Sequence, residues 1–531
     1  MLETVISAFR QIVGDSHTLT DPSSLRRYRA RTIPDQRQIP AVVRPSSVEE
    51  IQQLVRVAAA HQVSLYPIST GNNWGYGSAQ PTRDDTVVLD LGRMNRILEV
   101  NTELAYAVVE PGVTQQQLYA YLQERRIPLC LNPTGAGPTC SILGNTLERG
   151  FGIGPNGDHF LAQCGMEVVL GTGDILRTGF GHFPAARTTH LYKWGVGPYL
   201  DGLFTQSNLG IVTKIGVWLT PTPEQFAACY LTCNSEAQLG ELIPAIRGLL
   251  FLGVFQGPVN LLHRNRVLIM LGQYPWQEMD GRTPLSEPVA SRLAAQKKIG
   301  AWNGVGAISG SRAQVAAAKR TIARALKGKV DRLTFLSDDR LHLLKRFPRM
   351  FSAILKMNIP DLLKTLENSY GMMKGVPSEV ALSLAYWRNR QKSGSAGSIN
   401  PALDRCGLMW FAPIIPMTSE DVSAFRSIIE PILARHGLET CITLTAVNER
   451  CFDCTLPILF DSESPGEVAA AQACYAELHD ACSRAGYIPY RLGLHSMALE
   501  TTKDDVFWDV VERLKTALDP AGVVSPGRYS R

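Results

Sequence analysis

The chain has 531 residues, 45% of them apolar and 19% charged, with 53 Lys and Arg against 48 Asp and Glu. That length holds two or more domains with sizeable buried cores, and the composition is that of a globular protein, not a disordered or fibrous one. A net charge of +5, scattered apart from short clusters such as Gln296–Lys298 and Lys345–Arg346, argues against a nucleic-acid partner.

Met1-Leu-Glu-Thr-Val-Ile-Ser7 has an early acid and no basic n-region, so it predicts an amphipathic helix and not a signal peptide. No run approaches the roughly 18 apolar residues of a membrane span. The 11 cysteines, an odd number spread from Cys130 to Cys482, do not read as a disulfide framework, and a cytoplasmic location is expected.

Val48 to Ala60 has apolar residues at helical spacing after the start signal Pro45-Ser46-Ser47. The apolar segment Gln62 to Ile68 then runs into Tyr66-Pro-Ile-Ser-Thr-Gly-Asn-Asn-Trp-Gly-Tyr-Gly-Ser78. Gly71, Gly75 and Gly77 allow that loop to turn its N–H groups inward and cradle an anion such as a pyrophosphate. Strands are predicted at Thr86–Leu91, Ile97–Val100 and Ala105–Glu110, and a helix at Gln115–Arg125, a mixed α+β pattern. Gly171-Thr-Gly173 lies between two strand patterns with no helix opening after it, so it reads as a hairpin turn and not a nicotinamide-binding fingerprint.

The character changes at Pro221-Thr-Pro223, a predicted domain boundary. Beyond it strands alternate with helices at Ala313–Leu326, Pro360–Tyr370, Ser419–His436 and Gly466–Ala485, with a polar, glycine-rich loop at Gln391–Asn400. Lys503–Leu518 is again amphipathic. Cys451-Phe-Asp-Cys454 has redox or zinc spacing but no second pair to support it, and His159 and His495 have no ligand companion, so no metal is expected. Gly-x-Ser-x-Gly and the Gly-Lys-Ser/Thr of an ATP-binding loop are absent.

Taken in order, several stretches resemble the vanillyl-alcohol oxidase / p-cresol methylhydroxylase family of FAD enzymes. They are Pro67–Gly77, Leu89-Asp-Leu-Gly-Arg-Met-Asn95, Val109-Glu-Pro-Gly-Val113, Gly144-Asn-Thr-Leu-Glu-Arg-Gly150 with Pro155–His159, and Gly197–Val212. Gly375–Glu379, Trp410-Phe-Ala-Pro413, Tyr490-Arg491 and Asp519–Arg528 continue the match over nearly the whole chain. The resemblance implies an α+β fold. Its bipartite FAD-binding domain would comprise residues 1–222 and 487–531, with an α+β substrate (cap) domain inserted at 223–486. FAD would be held by Pro67, Ser69, Thr70, Gly71, Asn72, Asn73 and Gly75, and by Pro138, Thr139, Gly144, Asn145, Glu148, Gly150 and Gly152. Gly210, Ile211, Val212 and Arg528 would complete that site.

Members that oxidise para-alkylphenols bind the phenol as a phenolate through two tyrosines and an arginine, which match Tyr76, Tyr490 and Arg491. A free phenol has a pKa of about 10, so ionising it near pH 7 needs roughly 4 kcal/mol at about 1.4 kcal/mol per unit. Charge-assisted hydrogen bonds contribute about 1.5–3 kcal/mol each, so three donors suffice. Hydride would leave the benzylic carbon for flavin N5, giving a quinone methide that takes up water, loses a proton or loses CO₂.

This chain departs from the family pattern in three places. The acid expected near N5 is missing from Asn132-Pro-Thr-Gly-Ala-Gly-Pro-Thr-Cys140. The usual histidine that carries the flavin is Leu408, which implies non-covalent FAD, with Cys406 the nearest nucleophile if a link exists. A His-His pair is replaced by Asp453-Cys454, which makes Asp453 a candidate acid or base. The expectation is an FAD-dependent oxidoreductase acting on a para-hydroxyphenyl substrate and ending in desaturation or oxidative decarboxylation. The alternatives are a benzylic hydroxylase, or an alcohol or sugar oxidase that uses no phenolate. The electron acceptor would be O₂ or a protein, and the resemblance implies a homodimer.

Overall fold

The computed structural model describes residues 2–355, 359–390 and 399–531; of the loop Gln391–Asn400, residues 391–398 lie outside these. Ser47 caps the helix Val48–His61 by accepting from the Glu50 N–H, and Glu49 and Glu50 face the positive end of its dipole. Its apolar stripe of Ile51, Leu54, Val55 and Ala58 is buried with Val5 and Phe9 of the helix Leu2–Val13 and with Leu65, Val87 and Leu89 of the first sheet.

That sheet has four strands in the order Thr18–Leu19, Val42–Val43, Val87–Asp90, Leu65–Ile68. The last three are parallel, so the strand Leu65–Ile68 empties at its C-terminal end straight into the glycine loop. Open parallel sheets leave room for ligands at this end. The chain's C-terminal stretch returns here: Leu65 donates its N–H to the Val523 carbonyl at 2.8 Å, and Ser525 donates to the Leu65 carbonyl at 2.7 Å. A second sheet is antiparallel, in the order Ile97–Asn101, Tyr106–Val109, Ile211–Trp218, Gln163–Val169, Ile175–Arg177. Val169 pairs with Ile175 across the hairpin expected at Gly171–Asp174, which leaves no dinucleotide fingerprint there.

The third sheet is antiparallel and eight-stranded. Its main order is Arg332–Ser337, Gln225–Cys233, Trp302–Gly310, Val259–His263, Thr443–Ala446, Cys451–Asp461, Cys406–Phe411, with Ile414–Pro416 paired to Cys451–Asp461. Its two faces follow from the period-two alternation of a strand. Phe452, Cys454, Leu456, Ile458 and Phe460 enter the core with Leu261 and Leu444. The helices Leu239–Phe251, Arg312–Ala325, Ser419–Arg435 and Pro465–Arg484 contribute to the same cluster. The intervening Asn260, Thr445, Asp453 and Thr455 line a cavity instead.

The same alternation disposes of the CxxC motif. Cys454 is buried in the core, Cys451 donates to Asn448 at 3.5 Å, and both thiols are free. Among the described residues no cluster of three or more His, Cys, Asp or Glu could hold a metal, and no helix is long and apolar enough to cross a membrane.

Candidate active site and cofactor cavity

The cavity lies between the glycine loop and the polar face of the third sheet, and its lining runs from the one to the other. Pro67, Ser69, Thr70, Gly71, Asn72 and Asn73 line it from the first loop, and Gly144, Asn145, Glu148, Gly150 and Gly152 from the second. Gly210, Ile211, Val212 and Arg528 complete that half.

The loop has the form of an anion cradle. Among the described residues, the backbone N–H groups of Thr70 to Asn73 have no acceptor, and Gly71 sits at φ +71. A Cβ at Gly71 would come within 2.9 Å of Ala79 Cβ. Four unanswered donors at one turn fit a pyrophosphate, so the residues present suit FAD. Three of the expected FAD residues are placed differently. Gly75, Pro138 and Thr139 do not line the cavity: Thr139 anchors Asn72, whose Nδ2 donates to its hydroxyl at 2.8 Å. Gly75 packs under Trp410, where a Cβ would lie 2.3 Å from Trp410 Cδ1.

The four residues expected to carry chemistry, Tyr76, Asp453, Tyr490 and Arg491, come together at this cavity. Arg491 lies over the Tyr76 ring, 4.1 Å from its centroid. Its Nη2 donates to Asn73 Oδ1 at 2.6 Å, and its Nε is 3.2 Å from Glu148 Oε2. Glu148 also pairs with Arg528, which donates through Nη1 to the Tyr66 hydroxyl at 2.9 Å. Two arginines thus share one carboxylate, and the cluster keeps a positive charge.

Burial raises the Tyr76 phenol well above its ordinary value, and Tyr490 rises as well, so both keep their protons at neutral pH and stay donors. Burial also lifts Asp453 to about 8, only partly opposed by Arg491, which favours the protonated carboxyl. The loop 132–140 brings Thr134, Gly135, Ala136 and Cys140 to the cavity, and no carboxylate. Leu408 lines the cavity and is 2% exposed. Cys406 does not line it; burial pushes its thiol up to about 12, and Asn389 donates to its sulfur at 3.4 Å.

The two discounted histidines have structural places. His159 Nδ1 is 2.6 Å from Asn145 Oδ1 behind the second loop, and burial lowers its pKa to about 4. His495 packs edge-on against Tyr475, with ring centroids 4.5 Å apart. Sequence reasoning missed Arg266, Asn260, Thr445 and Thr455, which line the cavity from the third sheet and the helix following one of its strands. The alternation of Thr445 and Thr455 with buried neighbours was a usable signal for those two. Arg266 offers none.

Comparison with known proteins agrees with this geometry. A family model described as an FAD binding domain matches residues 39–179. The chain is 40% identical over 529 residues to the 1'-carboxy-chondrochloren decarboxylase of Chondromyces crocatus, covering 99% of this chain and 97% of that protein. It is 31% identical over 533 residues to the flavoprotein subunit of the hydroxylating 4-cresol dehydrogenase of Pseudomonas putida, covering 98% and 94%. A crystal structure of p-cresol methylhydroxylase with substrate bound superposes with a TM-score of 0.88 at 29% identity, over 99% of this chain and 96% of that one. The chain therefore belongs to the vanillyl-alcohol oxidase / p-cresol methylhydroxylase family and is an FAD-dependent oxidoreductase.

Proposed function

We propose that the protein oxidises a para-hydroxyphenyl substrate at its benzylic carbon, and that the product forms by loss of CO₂, not by uptake of water. The observation that carries this reading is one buried site where two protonated tyrosines and Arg491 meet beside an Asp453 that burial keeps neutral. FAD, held along residues 67–73 and 144–152, supplies the two-electron acceptor for the benzylic hydride.

The protein's own groups prepare the substrate. The Tyr76 and Tyr490 hydroxyls donate to the phenolate oxygen, and Arg491 neutralises its charge. Electron density then moves from that oxygen through the ring to the para carbon, which makes hydride loss feasible. A neutral Asp453 does not repel the phenolate. It is also a poor base for water, and Glu148, the other carboxylate lining the cavity among the described residues, is taken by two arginines.

Without a free base, the quinone methide formed from the substrate resolves through its own side chain. Where a carboxylate stands one carbon beyond the benzylic position, the bond to it breaks and CO₂ leaves. The released electron pair forms the new double bond, and the ring returns to an aromatic phenolate. Likeness to a decarboxylase over the whole chain supports this outcome.

Leucine cannot bond to a flavin, so Leu408 supports non-covalent FAD. A bipartite FAD-binding domain of residues 1–222 and 487–531 around a cap of 223–486 is supported by the return of Val523–Ser525 to the first sheet. Anaerobic incubation of the holoenzyme with 3-(4-hydroxyphenyl)propanoate tests the reading. The expected products are 4-vinylphenol and CO₂ in step with flavin reduction. The benzylic alcohol with its carboxylate intact would sink it.

A further inference from the structure

We propose that Arg266 is an anion subsite that takes a carboxylate on the substrate's side chain and so selects acidic over neutral phenols. The assignment rests on the phenol-oxidation reading and extends it to the other end of the substrate.

Arg266 stands in the helix Arg264–Leu271, which follows the strand Val259–His263 without a break. It lines the cavity and is 8% exposed. Its Nε donates to the Thr443 hydroxyl at 2.9 Å, and its guanidinium lies 5.9 Å from the Trp410 ring centroid. Its Nη1 is buried with no partner, and Arg266 forms no ion pair among the described residues. Burial lowers its pKa to about 10, so it is still a cation at pH 7.

Among the described residues, the other buried lysines and arginines all have polar partners. Arg388 has Glu439 at 2.9 Å, Lys515 has Asp519 at 2.5 Å, and Arg491 has Glu148 at 3.2 Å. Lys193 donates to two backbone carbonyls, at 2.7 and 2.8 Å. A buried cation without an anion carries a large desolvation cost, so evolution rarely leaves one in a fold unless something pairs with it. At a cavity wall that partner can be the ligand.

The surroundings suit a carboxylate. The Thr445 hydroxyl donates to Asn260 Oδ1 at 2.8 Å, which leaves the Asn260 amide hydrogens available as donors. Arg266, Asn260 and Thr445 belong to the third sheet and its following helix, the unit that also carries Asp453. The cofactor cradle at Thr70–Asn73 and Arg528 belongs to the first sheet's loop and the C-terminal stretch. A planar guanidinium offers paired N–H groups that match a carboxylate's two oxygens. Arg266 binds; it makes and breaks no bond.

The test uses 4-hydroxycinnamate and its amide, a charged and a neutral ligand of nearly equal shape, neither with a hydrogen on a saturated benzylic carbon to lose. Binding to the holoenzyme is read by flavin absorbance and by calorimetry. The wild type should bind the acid about tenfold or more tightly than the amide. Arg266→Met should erase that preference while changing amide affinity less than about threefold, and Arg266→Lys should keep part of it. The acid should raise the melting temperature of the wild type and not of Arg266→Met.

Equal binding of acid and amide by the wild type overturns the assignment, and that comparison decides it even if a variant fails to fold. Equal weakening of both ligands in Arg266→Met overturns it too, as does a folded Arg266→Met that purifies without flavin, which would mean Arg266 serves the cofactor. The O-methyl ethers of both ligands, run alongside, report separately on the phenol reading. If the ethers bind as tightly as the phenols, that reading fails, while the acid–amide difference still decides Arg266.

Discussion

Asp453 and Arg491 line the same cavity with opposite intrinsic charges, and burial favours the protonated form of the acid. The carboxyl is held at about 8, against an ordinary 3.8 when the chain is unfolded. Between those values the folded state binds a proton that the unfolded state does not, so the stability Asp453 contributes is fully present below pH 3.8 and is lost as pH rises toward 8. The slope from one such group is about 1.4 kcal/mol per pH unit. Asp453→Asn should remove that slope, so denaturant unfolding between pH 5 and 7 should show a flatter pH dependence than the wild type. An unchanged slope would mean that Asp453 is ionised in the folded protein. Tyr76, Tyr490 and Arg491 were singled out because their motifs resemble a known family, and Asp453 because it departs from that family's His-His pair; all four line one cavity. Arg266 was not legible, because a lone arginine in a helix looks like a solvated cation until the cavity behind it is seen.

Among the elements, the seam between the glycine loop and the third sheet holds the two halves of the site together. Trp410 donates its backbone N–H to the Gly75 carbonyl at 3.3 Å, and its ring occupies the space a Gly75 side chain would need. Gly75 also sits at φ +76, where any side chain is strained. Gly75→Ala should therefore cost about 2–4 kcal/mol from strain and overpacking together. Urea unfolding measures this, and a loss under about 0.5 kcal/mol, the range of an ordinary surface change, would show that the seam yields. The sequence indicated this loop's conformation correctly but not its neighbour, since Trp410 is far along the chain. Elsewhere the long, well-capped helices Val48–His61 and Ser419–Arg435 matched their patterns. The helix Leu239–Phe251 escaped notice because Gly240, Pro244 and Gly248 interrupt it, and burial of Leu242, Ile243 and Ile246 outweighs their weak propensity.

Across the whole molecule, the order of motifs along the chain made the fold class legible, while the pairing of the C-terminal stretch with Leu65 depends on contacts no local pattern encodes. The cofactor's attachment is a property at this scale, since Leu408 and the unanswered N–H groups of Thr70–Asn73 come from different sheets. Acid precipitation of the purified holoprotein should leave all the FAD in the supernatant; flavin fluorescence in the pellet would contradict non-covalent binding. The central claim is that Tyr76, Tyr490 and Arg491 activate a phenolate, and anaerobic flavin bleaching by 4-ethylphenol against its O-methyl ether tests it most directly. Rapid bleaching by the phenol alone, slowed about 10–100-fold in Arg491→Met, is the predicted result. Equal bleaching by the ether, or an Arg491→Met protein as fast as the wild type, would contradict it.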